Sequence, residues 1–193
     1  MQERKIQKRC PWAKTAVEIA YHDFEWCRPV HDERKLFEML ILEGMQAGVS
    51  WYIILQKRPA FLAAFDNFEP KAVASYTEEK VEELMENPAI IRNRNKINSA
   101  IGNARAFLRT QEELGSFDAY IWSFTGGKTI QNHLQEVSDM PAKTELSERI
   151  SADLKKRGFK FVGPVIIYSY MQAIGMVNDH VEWCDCYNEG GKL

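Results

Sequence analysis

The sequence predicts an all-α fold of helix–hairpin–helix type, with the two ends of the chain joined. Three observations predict it. Apolar residues recur at helical spacing along most of the chain. The pair Asn87-Pro88 interrupts two such stretches with a short, polar-tipped segment. A thiol and an imidazole near the start, Cys10 and His22, face a matching pair near the end, His180 and Cys184. No strand pattern of any length, internal repeat or low-complexity tract competes with this reading.

The elements follow in order. His31 to Gly44 carries Leu36, Phe37, Leu40 and Ile41 at a 3.6-residue period, with Gly44 and Gly48 loosening its end. Ser50 is placed to cap a helix from Trp51 to Lys57, and Pro59 is expected to start a short helix through Phe65. Thr77 precedes two glutamates, which suit the positive end of a helix running to about Met85. The hairpin then lies near 88–95. A long helix follows, with Ile97, Ile101, Ala104 and Leu108 on one stripe. Gly126-Gly127 opens a loop toward Met140-Pro141. A helix from about Glu145 ends near Gly158, a candidate cap, and Pro164 suits the first turn of a last helix through Met171 and Ile174.

With 193 residues and 45% hydrophobic content, the chain suits one domain with a sizeable core, and 27% charged residues mark a soluble surface. The basic start, residues 1–9, precedes no apolar run, so neither a secretory signal nor a membrane span is expected and the chain reads as cytoplasmic. There four cysteines argue for metal binding or free thiols rather than disulfides. The net charge of −2 argues mildly against a nucleic-acid binder. Its distribution permits a local basic face, since Arg92, Arg94 and Lys96 cluster, as do Lys155, Lys156, Arg157 and Lys160. Solvated helix faces are the commoner meaning of such runs.

Cys10, His22, His180 and Cys184 together make a Cys2His2 set, which suits tetrahedral zinc. His180 and Cys184 are spaced as on one face of a helical turn, whereas Cys10 and His22 can meet only in a tertiary fold. Two readings stand: one ion stapling the ends, or two buried thiols and two unrelated histidines. Cys186 competes with Cys184 as a ligand. Cys27 reads as a plain buried thiol. Near the first pair lie Trp12, Tyr21 and Trp26, and further along come Glu43 and Trp51. One carboxylate among aromatic rings suits a flat cationic heterocycle, because aromatic faces attract cations and a carboxylate accepts from an exocyclic amine. Taken singly, each of these aromatics reads as core and the glutamate as exposed.

The stretches Arg9-Cys10-Pro11-Trp12, Tyr21-His22-Asp23-Phe24-Glu25-Trp26, Leu42-Glu43, Gln46-Ala47-Gly48-Val49-Ser50-Trp51, Ile90-Ile91-Arg92-Asn93-Arg94, Lys155-Lys156-Arg157-Gly158-Phe159-Lys160-Phe161-Val162-Gly163 and Val177-Asn178-Asp179-His180 resemble the 3-methyladenine DNA glycosylase I family. These are base-excision repair enzymes of the helix–hairpin–helix superfamily, and the resemblance spans about residues 9 to 187. It implies a single glycosylase domain, 1–193, whose terminal segments, about 1–30 and 175–193, are joined by one structural zinc on Cys10, His22, His180 and Cys184. It implies that Glu43 and Tyr21 hydrogen-bond the excised base, that Trp51 and Trp12 stack on or wall it, and that Trp26 shares the pocket. Val49 stands where the family places an apolar plug for the flipped nucleotide's gap, and Arg92, Arg94 and Lys96 would grip the phosphate backbone. Four positions depart from the family: Cys27 and Ala89 replace glycine, Glu18 replaces an aromatic of some members, and Trp183 replaces a small residue.

The activity so implied is hydrolysis of the N-glycosidic bond of 3-methyladenine in double-stranded alkylated DNA, by base flipping into an aromatic pocket. A monomeric, monofunctional enzyme is expected, with Glu43 as the catalytic candidate. No Asp occurs between Asn95 and Phe117, where many superfamily relatives use one after the hairpin. That absence keeps open an alternative, a non-catalytic binder of alkylated DNA or methylated bases.

Overall fold

The computed structural model describes residues 6–189. Most of the basic start, and the last residues of the C-terminal segment, therefore lie outside the described residues. The order of elements is α1 (Ala16–Phe24), α2 (Glu33–Gln46), α3 (Trp51–Ala64), α4 (Pro70–Ala74), α5 (Glu78–Glu86), α6 (Arg94–Leu114), α7 (Phe117–Ser123), β1 (Ile130–Gln131), α8 (Glu145–Lys156), α9 (Pro164–Ala173) and β2 (Val177–Asn178). Side-chain caps explain many of the starts: Thr15, Asp32, Ser50, Asn93, Ser116 and Thr144 each accept a backbone N–H of the first turn. Proline at the first turn opens α4 and α9.

Helix α2 is the axis of the molecule. It packs against α3, α6, α7 and α9, and every residue from Leu36 to Met45 is buried. The sequence predicts one apolar stripe here; encasement on all sides carries Glu38 and Glu43 inside as well. The expected break before Pro59 does not occur, because α3 runs unbroken through it. Ile54, Phe61 and Phe65 are fully buried at spacings of seven and four, and a continuous helix keeps all three on one face. Proline at 59 forfeits one hydrogen bond of that helix. The hairpin between α5 and α6 is present, with Asn87 Oδ1 accepting from Ala89 N–H at 2.9 Å and Lys57 Nζ donating to the carbonyls of Pro88 and Ala89.

The chain ends meet through backbone. Cys27 N–H donates to the Gln172 carbonyl, Val30 N–H to Ile174 and Asp185 N–H to Lys8. The close approach at Gly175 (φ +73°) admits only glycine, since a Cβ there would lie 2.2 Å from the Arg28 carbonyl carbon. Strands β1 and β2 pair in parallel, Ile130 with Val177 and Gln131 with Asn178, and bring the loop after α7 beside the C-terminal segment. Residues 180–184 form turns rather than the expected helical turn; Cys184 N–H donates to the Val181 carbonyl. No helix among the described residues is long and apolar enough to cross a membrane.

Candidate base pocket and metal cluster

The central buried helix, the α2–α3 turn and the segment before α1 converge on a cavity of about 360 Å³. Its walls include Trp12, Tyr21, Trp26, Glu43 and Trp51. The structure thus gathers all five residues expected to bind a base. Tyr21 and Trp51 pack at 5.4 Å between ring centroids, and Trp12 meets Trp26 edge-on at 4.9 Å. Such a volume suits one small heterocycle.

Glu43 is 3% exposed, and its Oε2 has no hydrogen-bond partner. Burial pushes its carboxyl up to about 8, so near neutrality it is largely protonated. A buried polar atom without a partner is costly unless a ligand supplies one. Burial also raises the Tyr21 hydroxyl well above its usual value, with the Glu43 carboxyl adding to the effect. Tyr21 therefore stays a neutral donor and acceptor. Glu18, at the same cavity, behaves oppositely. Burial opposes its charge, but hydrogen bonds from Thr15 and Lys14 outweigh that and hold it below the usual carboxylate range. Gln46, Ser50, Tyr52, Val137, Met140, Ser169 and Gln172 complete the wall, and none was singled out from sequence for this role. Gln46 and Ser50 do fall within the family-like stretch that ends at Trp51; the others carry no local signal.

Beside the pocket lies a cluster of metal-ligating side chains. His22, His180, Cys184 and Cys186 are all buried, with one donor atom from each lying within 4.8 Å of every other. The expected set has Cys10 as its fourth donor; the structure brings Cys186 to that place and sets Cys10 against the same cluster. Cys10 is buried against the same cluster, its N–H 3.3 Å from His22 Nε2 and its thiol donating to Cys184. The Cys10 and Cys186 thiols both lower the Cys184 thiol, as expected for a sulfur that carries the charge of the group. The donors fit a metal ion in three further respects. His22 Nδ1 is held by Asp23 Oδ1 at 2.8 Å, and Asp23 is in turn gripped by Arg9. His180 Nδ1 is held by Asn178 Oδ1 at 2.8 Å. Each imidazole is thus fixed with Nε2 turned inward, the arrangement of outer partners that orients metal-bound histidine. His180 Nε2 is buried without a partner, and burial lowers that imidazole to about 4, keeping it neutral.

The cluster and the pocket share a wall. Trp26 stacks on His22 at 5.9 Å and meets His180 edge-on at 4.7 Å. Trp12 meets His22 at 5.4 Å.

The expected DNA-contacting residues are distributed unevenly. Val49 sits half-buried in the turn between α2 and α3, next in the chain to the cavity-lining Ser50. Arg92 is exposed in the segment between the Pro88-Ala89 turn and α6. Arg94 is paired with Glu78 and Glu82. Lys96 is not on the surface at all: it is 6% exposed, and Nζ donates to the carbonyls of Met45 at 2.8 Å and Ala47 at 2.6 Å. It satisfies the C-terminal end of α2, where a cation is favoured, rather than a phosphate.

Comparison with known proteins agrees with this geometry. The family model described as methyladenine glycosylase matches residues 12–188. The chain is 48% identical to DNA-3-methyladenine glycosylase 1 of Escherichia coli K12, over 93% of this chain and 97% of that protein. It is 42% identical to DNA-3-methyladenine glycosylase of Haemophilus influenzae, over 92% and 97%. A crystal structure of 3-methyladenine DNA glycosylase I superposes with a TM-score of 0.91 at 47% identity, covering 93% of this chain and 99% of that one. The Staphylococcus aureus enzyme, described for its recognition of 3-methyladenine, superposes with a TM-score of 0.89 at 35% identity, over 92% and 95%. The chain belongs to the methyladenine glycosylase family, and its fold is that of the 3-methyladenine DNA glycosylase I enzymes.

Proposed function

We propose that this chain excises 3-methyladenine from double-stranded alkylated DNA. The observation that carries the reading is Glu43: a buried carboxyl with a partnerless oxygen on the wall of an aromatic cavity sized for one base. The damaged nucleotide leaves the stack and its base enters between Trp51, Tyr21, Trp12 and Trp26. Methylation at N3 makes the base cationic. When the C1′–N9 bond breaks, its electron pair leaves with the base and neutralises that charge. Water then adds to C1′ and gives up a proton. The base is already a good leaving group, so the protein's task is to hold it in place: Glu43 and Tyr21 satisfy its polar edge, and the rings hold its faces. Nothing in this scheme needs a Schiff-base lysine, and the enzyme is monofunctional.

Val49, at the turn beside the pocket, fills the gap left by the flipped nucleotide. Arg92 and the first-turn N–H groups of α6 meet phosphates. His22, His180 and Cys184, with Cys186 or Cys10 as the fourth donor, hold one zinc ion per chain. Four protein donors leave no open position, so the ion supplies structure and not catalysis. The described residues, 6–189, form one domain closed by this staple.

The test is incubation of the purified protein with methylated duplex DNA and chromatography of released bases. Free 3-methyladenine above background supports the reading. Binding to the duplex without release would replace it with the non-catalytic alternative.

A further inference from the structure

We propose that Gln172 sets base specificity: its amide is locked with the carbonyl oxygen toward the cavity, favouring a 6-aminopurine over a 6-oxopurine. This rests on the base-pocket reading above.

Gln172 lies in the last turn of α9, is 7% exposed and lines the same cavity as Glu43. Its orientation is decided by Asp179, which is fully buried. Three neutral donors converge on that carboxylate: Asn132 Nδ2 at 2.6 Å, Tyr168 Oη at 2.7 Å and Gln172 Nε2 at 2.6 Å. With three donors directed at them, both carboxyl oxygens serve as acceptors. Turning the Gln172 amide over would set its carbonyl oxygen against a carboxylate oxygen, with no room for water between them. The nitrogen is therefore committed to Asp179, with Met140 Sδ as a second neighbour at 3.0 Å. That leaves Oε1 as the atom presented to the cavity, and it can only accept. The backbone is held as firmly, since the Gln172 carbonyl accepts from Cys27 N–H, next to Trp26.

A fixed acceptor discriminates by what it meets. The only exocyclic N–H group of 3-methyladenine is the 6-amino group. A 6-oxopurine offers a carbonyl at that position, and two acceptors would face each other unpaired.

The experiment titrates tryptophan fluorescence with free 3-methyladenine and with 3-methylhypoxanthine, which differ at position 6. The proteins are wild type, Gln172→Met, which keeps the shape and removes the acceptor, and Asp179→Asn, which releases the lock. Zinc content is measured for each, because Asp179 adjoins His180. Wild type should favour 3-methyladenine. The ratio of the two affinities should fall about tenfold in Gln172→Met and in the same direction, by less, in Asp179→Asn. A Gln172→Met protein that weakens both bases equally, or leaves the ratio unchanged, would overturn the proposal and leave the pocket reading standing. Should Gln172→Met fail to fold, an unchanged ratio in zinc-loaded Asp179→Asn would overturn it instead. Wild type that binds neither base would remove the pocket reading and this proposal with it.

Discussion

Among the described residues, two buried side-chain atoms lack any hydrogen-bond partner: Glu43 Oε2 and His180 Nε2. Trp26 touches both surroundings, edge-on to His180 and lining the cavity with Glu43, and the contrast shows how one observation can mean two things. The nitrogen of His180 is crowded by other donors, with His22, Cys184 and Cys186 all within 4.8 Å. Such a set of donors could hold a metal ion. The oxygen of Glu43 borders an open cavity walled by rings. A molecule fits there. Surroundings, not the missing bond, tell a metal site from a ligand site.

Removing each atom in turn separates the two sites. His180→Ala should lower zinc from one per chain to a small fraction and lower Tm by about 10 °C, because metal binding energy is folding energy. Loss of zinc should also weaken 3-methyladenine binding, through Trp26. Retention of both zinc and Tm would dissolve the cluster.

Glu43→Gln should act in the other direction on stability. The carboxyl holds its proton more tightly folded, at about 8, than unfolded, near 4.5. Its contribution to stability is therefore full below pH 4.5 and lost as pH rises through 8. At roughly 1.4 kcal/mol per pH unit the loss is at most about 4–5 kcal/mol. Denaturant unfolding across that window should show a slope in wild type that flattens in Glu43→Gln. Equal slopes would mean the carboxyl is not buried as described.

A smaller effect sharpens the metal side. Arg9→Ala frees Asp23, loosens His22 and should weaken zinc about tenfold in chelator competition, with the pocket residues untouched. The smallest concerns the hairpin. Arg92→Ala should weaken DNA binding a few-fold and reduce its salt dependence by about one phosphate contact. Lys96→Met should lower stability while leaving that salt slope unchanged, since Lys96 is engaged by the Met45 and Ala47 carbonyls.

Much of this was legible beforehand, for reasons that differ by residue. Helix starts were readable where the cap is local, as at Ser50 and Pro164, because a cap is decided by neighbours in the chain. Glu43 was legible only by its grouping with aromatics; its burial depends on four helices closing round α2. Lys96 was misplaced because a run of basic residues says nothing about which one lies under the end of another helix. The choice between Cys10 and Cys186 rests on how the turns after β2 fold, which spacing does not encode. Gln172 left no trace in sequence, since its orientation comes from Asp179, to which the β1–β2 pairing brings Asn132 and helix α9 brings Tyr168.

In the proposed function, the atom left unpartnered on Glu43 is the one the excised base satisfies. The most direct measurement is single-turnover release of 3-methyladenine from methylated duplex DNA by wild type and Glu43→Gln, with equal zinc content verified in both. Wild type should release the base, and the variant should do so at a rate at least about 100-fold lower. Equal rates for the two proteins would contradict it.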